Sequence, residues 1–243
     1  MTAPPIEARG LEQSFGFTPV LRDVNLRVEP GSGVLICGRN GAGKSTLLSL
    51  LAGLGTPTAG EALLFGSPSN RLAPALRRRL GLLSHQSFLY PNLTARENLT
   101  FFCALYRIHN PAPLVQSWIE RVGLAAAAEE RVRGFSRGME QRLALARALL
   151  PTPDVLLMDE PFTALDPEGA ALAAALVREA LARGCAVLLT AHQVAQPGSL
   201  ALAPYELVRG RLVRLDAALN LRDSAPSGSG GAEASSRNSP TVV

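Results

Sequence analysis

The sequence predicts an α/β fold: a parallel sheet flanked by helices, with an antiparallel β portion ahead of it and a helical insertion within it. Three observations carry this prediction. First, the apolar run Val34-Leu35-Ile36-Cys37 enters a glycine-rich loop, and Leu47, Leu48, Leu50, Leu51 and Leu54 follow at helical spacing, with Gly53 and Gly55 near the helix end. Second, two more apolar runs, residues 154–158 and 186–190, end at polar residues, as buried parallel strands do at their C-terminal edge. Third, the pattern between Pro91 and about Leu149 is helical, too long to be a simple connection between strands.

In chain order, residues 6–12 and 24–28 alternate like strands around a turn containing Gly16 and Pro19. Pro30-Gly31 ends the second strand before the run at Val34. The glycine-rich loop comprises Gly38, Arg39, Asn40, Gly41, Ala42, Gly43, Lys44, Ser45 and Thr46 and fits the pattern GxxxxGK[ST]. Its glycines let backbone N–H groups converge on an anion, and the helix N-terminus adds a favourable dipole. Lys44 is expected to reach the β- and γ-phosphates of a nucleotide and Ser45 to ligate Mg²⁺. The chain holds 24 Lys+Arg, and Lys44 is the only lysine among them. A glycine-rich turn before an ordinary core helix would explain neither the pattern nor this lone lysine.

Residues 61–65 predict a short strand ending at Gly66. Gly81-Leu82-Leu83 leads into the polar pair His85-Gln86. A helix start signal stands at Asn92-Leu93-Thr94, and breaks are expected near Pro111 and Gly134. Asp159 and Glu160 close the run 154–158. Phosphate chemistry needs a metal carboxylate and a group that activates water, so Asp159 is assigned to the metal and Glu160 to the base; a helix cap is the plainer use of two adjacent acids. An alanine-rich helix is expected over 168–183, and the run 186–190 delivers His192 to the same sheet edge. Residues 205–215 predict a hairpin turning at Arg209-Gly210. Phe15, upstream of the loop, is a candidate to stack on a base, although core packing claims an isolated phenylalanine more often. Beyond about Arg222 the chain is Ser, Gly, Pro and Ala, and a disordered tail is expected over 222–243, after a domain covering 1–221.

Composition excludes several classes. At 243 residues and 47% apolar content the chain can build one sizeable α/β core. No apolar run approaches a membrane span. Cys37, Cys103 and Cys185 are odd in number, far apart and set among apolar residues, so neither a disulfide framework nor a cysteine metal site is expected. The net charge of +4 comes mainly from scattered arginines, and a solvated helix face accounts for Arg77-Arg78-Arg79. These features predict a soluble cytoplasmic protein with no nucleic-acid partner.

At this point the chain resembles the ATP-binding subunit of an ABC transporter over roughly residues 6–215. The residues that carry the likeness are Gly38–Thr46, Gln86, Phe135-Ser136-Arg137-Gly138-Met139, Leu156–Glu160, Ala164-Leu165-Asp166 and His192. The resemblance implies a P-loop NTPase (RecA-like) core sheet, an antiparallel β subdomain, and a helical subdomain over about 87–150 carrying the signature. It implies ATP and Mg²⁺ as cofactors, with Phe15 stacked on adenine and Gln86 at the Mg²⁺ and the attacking water. It further implies that Ser136 and Gly138 contact ATP held by a second subunit, that Asp166 crosses the dimer interface, and that His192 holds the γ-phosphate. The family's usual signature is Leu-Ser-Gly-Gly-Gln; Phe135, Arg137 and Met139 depart from it, which bears on hydrolysis rate more than on ATP binding.

One copy of each motif implies a head-to-tail dimer, and the lack of a membrane span implies separate permease subunits with this chain peripheral on the inner membrane face. Leu93–Leu99 with Phe101-Phe102, Glu160–Asp166 and Thr190–Gln193 look most similar to the haem-exporter ATPase of cytochrome c maturation; exporters of drugs, polysaccharides or lipids share much of this. A non-transport ABC ATPase acting on DNA or ribosomes would ordinarily carry paired nucleotide domains, coiled-coil insertions or zinc cysteines. A P-loop kinase or GTPase would leave Ser136, Gly138 and His192 unexplained.

Overall fold

The computed structural model describes residues 3–192 and 200–215. Gln193 and the Ser/Gly/Pro-rich stretch from 222 onward lie outside the described residues.

Two strands, β1 (Ile6–Phe15) and β2 (Thr18–Val28), form a long antiparallel hairpin. The alternation in the sequence picks out only parts of it, because register shifts between Ala8 and Ser14 break the period of two. Pro19 accordingly lies within β2, opposite Ser14, instead of in the turn. β3 (Gly33–Cys37) leads through the glycine loop to α1 (Lys44–Leu51). Leu54 falls beyond that helix and is exposed: Gly53 adopts a left-handed φ of 73° and ends it.

β4 (Ala59–Leu64) and the two-residue β5 (Ser67–Pro68) complete an antiparallel sheet of order β2-β1-β4-β5. A single-turn α2 (Pro74–Arg77) then precedes β6 (Leu80–Leu83). The helical insertion comprises α3 (Ala95–Leu105), α4 (Pro111–Arg121) and α5 (Arg137–Leu149). Thr94 caps α3 in a reciprocal capping box with Glu97. Pro111, expected as a break, occupies the first position of α4, where its missing N–H costs nothing.

β7 (Val155–Asp159), α6 (Pro167–Ala182) and β8 (Ala186–Ala191) follow, and β9 (Ala203–Val208) turns back as β10 (Arg211–Arg214). The main sheet has the order β10-β9-β3-β8-β7-β6, parallel except for the last hairpin. That hairpin is where the sequence places it, but its pairing alongside β3 is not readable from the chain.

Both faces of this sheet are covered. On one face Leu35, Cys37, Leu156, Met158, Val187 and Leu189 pack under the helical insertion and α6. On the other, Val34, Ile36, Val155, Leu157, Ala186 and Leu188 pack against α1 and the antiparallel sheet. Successive residues of each strand therefore serve opposite layers, which is why these runs are apolar throughout. The consequence is positional: β3, β7 and β8 all release their polar residues at one edge.

Candidate functional site

The site forms where β3, β7 and β8 end. Gly43, at a left-handed φ of 106°, caps α1 from the loop, and a Cβ there would meet Val20 Cγ1 at 2.9 Å. Glycine is thus needed for both conformation and space. The first turn of α1 contains no acidic side chain of its own to offset the helix dipole. Lys44 is 5% exposed, and its Nζ donates to the carbonyls of Gly38 at 2.8 Å and Arg39 at 3.3 Å. The lysine is folded back into its own loop.

At the end of β7, Asp159 is buried and accepts from the Thr190 hydroxyl of β8 through Oδ1 at 2.5 Å. The same Thr190 Oγ1 accepts from the Glu160 backbone N–H at 3.1 Å. Glu160 sits at a left-handed φ of 49°, an uncommon conformation for a residue with a side chain. This bend carries its carboxylate over the loop: Oε1 lies 3.8 Å from Lys44 Nζ, and Oε2 lies 2.9 Å from Nε2 of His192. The resulting cavity, of about 460 Å³, is lined by Asn40 to Thr46, Val20, His85, Glu160 and His192.

His85 stands where Gln86 was expected. Gln86 is exposed and is not among the residues lining this cavity or the neighbouring one; its carbonyl accepts from Ser84 Oγ at 2.9 Å. It is His85 that approaches Asp159, with Nε2 3.4 Å from Oδ2. Only one of two adjacent residues leaving β6 can turn toward β7, and the sequence marks the polar pair without telling them apart.

The other expected residues are spread around this centre. Phe15 is 60% exposed and lines a separate cavity with Gln13 and Ser49, which shares Ser45 and Thr46 with the first. Ser136 caps α5, accepting from Met139 N at 3.2 Å, and the helix starts at Arg137. A Cβ on Gly138 would come within 3.2 Å of the Ala164 carbonyl. Asp166 is exposed and caps α6 through Gly169 N at 2.8 Å. Neither Ser136 nor Gly138 lines the phosphate-loop cavity of its own chain.

Two contributors were not singled out from sequence. Thr190 entered only as the end of a strand and as the first residue of the Thr190–Gln193 likeness, with no role of its own. Arg147 of α5 is buried, donating to the carbonyls of Leu82 at 2.5 Å and Ser87 at 3.1 Å, with the rings of Phe88 and Phe102 about it. Burial lowers its pKa. It ties the segment bearing His85 to the helix that Ser136 caps, and Ser87 adds a 2.6 Å hydrogen bond to Glu140. A helical arginine carries no sequence mark of this role.

The donor set fits a divalent cation and a polyphosphate. Asp159 keeps one carboxylate oxygen outside the Thr190 contact, Ser45 adds an exposed hydroxyl, and the loop and Lys44 supply positive potential.

A sequence profile described as ABC transporter matches residues 21–163. The chain is 38% identical over 194 residues to the Nod factor export ATP-binding protein I of Burkholderia thailandensis, covering 79% of this chain and 64% of that protein. The corresponding protein of Paraburkholderia xenovorans is 39% identical over the same shares. The match thus spans just under two thirds of the length of these curated relatives. Among solved structures, an ATP-binding subunit of an ABC transporter superposes with a TM-score of 0.81 at 27% identity, covering 90% of this chain and 95% of the other. A dimeric ATP-binding cassette in a post-hydrolysis state, bound to ADP and Pi, superposes with a TM-score of 0.76 at 27% identity, covering 85% of this chain and 96% of the other. Strand order, loop, paired acids and profile agree: the chain belongs to the ABC transporter family.

Proposed function

We propose that this chain powers an exporter by hydrolysing ATP between two copies of itself, bound to separate membrane subunits. The observation that carries the reading is the placement of the Glu160 carboxylate between Lys44 and His192, above the glycine loop. Lys44 would leave the carbonyls of Gly38 and Arg39 and turn to the β- and γ-phosphates, while the loop N–H groups and the α1 N-terminus hold the remaining charge. Ser45 and Asp159 would hold the cation. When bound, that cation neutralises charge on the phosphate oxygens. Glu160 would take the proton of the attacking water on its carboxylate, and Thr190, by fixing the Glu160 backbone, sets where that carboxylate stands. His192 would contact the γ-phosphate from its place beside Glu160.

Dimerisation is supported by Ser136 and Gly138, which lie outside the phosphate cavity of their own chain and would face the nucleotide of a second chain. Dimeric cassettes among the structural neighbours favour the same arrangement. No helix among the described residues is long and apolar enough to cross a membrane; in this reading the permease is a separate subunit. Phe15 would stack on adenine, and Asp166 would meet the second chain.

Haem is the cargo to which Leu93–Leu99 and Thr190–Gln193 point. The named relatives are Nod factor export proteins, and this favours a second reading in which the cargo is not haem. Both share export.

Glu160→Gln tests the hydrolytic reading. The amide keeps the shape and removes the base, so turnover should fall about 10²–10⁴-fold, a barrier increase of roughly 3–5 kcal/mol. ATP should persist, and size-exclusion chromatography with ATP should show a dimer. Undiminished turnover, or a monomer under every condition, would count against it. In a reconstituted complex, haem-stimulated ATPase activity would separate the two cargo readings.

A further inference from the structure

Asp159 presents one carboxylate oxygen toward the junction of two cavities. Its Oδ1 is engaged by Thr190, and its Oδ2 lies 3.4 Å from Nε2 of His85. His85, Asp159 and Glu160 each offer a donor atom, and the three atoms lie within 4.8 Å of one another. In an octahedral shell with bonds of about 2.1 Å, neighbouring ligands stand about 3 Å apart and opposite ones about 4 Å. The separations found need only a small closure around an ion. The imidazole is free to make that closure, since 66% of its side-chain surface is exposed. It also lines both cavities, the one formed by the phosphate loop and the one holding Asp159 and Glu160. A histidine packed for structural reasons would instead be covered.

We propose that Nε2 of His85 is a ligand of the nucleotide-associated metal ion, beside Asp159, and that the site therefore favours Mn²⁺ or Co²⁺ over Mg²⁺. This rests on the reading that the cavity takes a nucleotide together with a divalent cation. Mg²⁺ is a hard ion that keeps oxygen ligands, whereas an imidazole nitrogen in the shell raises affinity for transition ions. An amide oxygen at position 85 would leave the shell all-oxygen and remove the preference. His192 is not part of this donor set: its Nε2 contacts Oε2 of Glu160 at 2.9 Å.

The chain has three histidines, so selective labelling resolves the question. The full chain is grown with ¹⁵N-histidine and loaded with Mn²⁺ and a non-hydrolysable ATP analogue of natural isotope content. Pulsed electron paramagnetic resonance should then show a ¹⁵N coupling from a bound imidazole. The coupling should survive His192→Ala and disappear in His85→Gln while Mn²⁺ stays bound. In competition titrations, His85→Gln should also lower the Mn²⁺ to Mg²⁺ affinity ratio at least threefold. Bound Mn²⁺ and nucleotide without a ¹⁵N coupling would overturn the proposal and leave His85 as a residue that only orients Asp159. If calorimetry shows that the nucleotide itself does not bind, the underlying reading of the cavity fails, and the metal assignment falls with it.

Discussion

Thr190 joins both acidic residues of the site through one oxygen: its hydroxyl donates to Asp159 Oδ1 at 2.5 Å and accepts from the Glu160 N–H at 3.1 Å. The contact crosses from β8 to β7 at their paired ends, Asp159 lying opposite Thr190 in the ladder. It holds the carboxylate of Asp159 and the bent backbone of Glu160 in a fixed relation. Thr190→Val keeps the volume but leaves a buried carboxylate oxygen and a backbone N–H without a partner. The expected cost is about 1–3 kcal/mol of stability, read by urea denaturation, together with a loss of turnover. Thr190→Ser should restore both, and a valine variant matching the parent on both measures would refute the role.

Lys44→Ala removes the only ammonium group of the loop, so nucleotide affinity measured by calorimetry should fall at least tenfold, or about 1.4 kcal/mol. A second readout uses the scarcity of lysine. Because Lys44 is the only one in the sequence and is buried, reductive methylation at that residue should be slow and should slow further with ATP. Methylation indifferent to ATP would argue against contact between the ammonium and the phosphates.

The segment after His85 presents Phe88 and Tyr90, 41% and 47% exposed, with Tyr90 set edge-on to Phe101 at 4.8 Å between centroids. We propose this exposed aromatic surface as a contact for a helix of a membrane partner. Phe88 also faces Arg147, so part of it serves the fold. Phe88→Ala with Tyr90→Ala should keep ATP affinity near the parent value while co-purification with the membrane subunit fails. Retained co-purification and transport would show that the contact lies elsewhere.

The three thiols should be inert in the native state. All are buried, and burial pushes Cys37 up to about 11 and Cys185 up to about 12, with Cys103 raised by the same cause. Thiolate is the reactive form, so Ellman's reagent at pH 8 should release almost no colour until denaturant is added, then three equivalents. Rapid reaction of any of them in the native protein would contradict the described packing.

Much of the architecture is written locally. Continuous apolar runs at 34–37, 155–158 and 186–189, bounded by polar or turn residues, read as strands covered on both faces, and each brings its next residues out at the same sheet edge. The loop Gly38–Thr46 announces its conformation through glycines, since glycine adopts left-handed φ values without steric cost. Asp159, Glu160 and His192 were therefore readable as neighbours before any coordinates.

What the chain does not declare is anything decided by a side chain's choice of direction or by pairing at long range. His85 and Gln86 are equivalent in sequence, and only the exit angle of β6 beside β7 turns the imidazole to Asp159 and the amide to solvent. Arg147 and Thr190 look like ordinary helix and strand residues until packing brings backbone carbonyls and a carboxylate against them. The addition of β9 beside β3 rests on backbone hydrogen bonds, which carry no side-chain signature. Sequence determined which groups reach the sheet edge, because periodicity and glycine conformation are local properties; tertiary structure decided which of them touch, because contact depends on distances that no local pattern encodes.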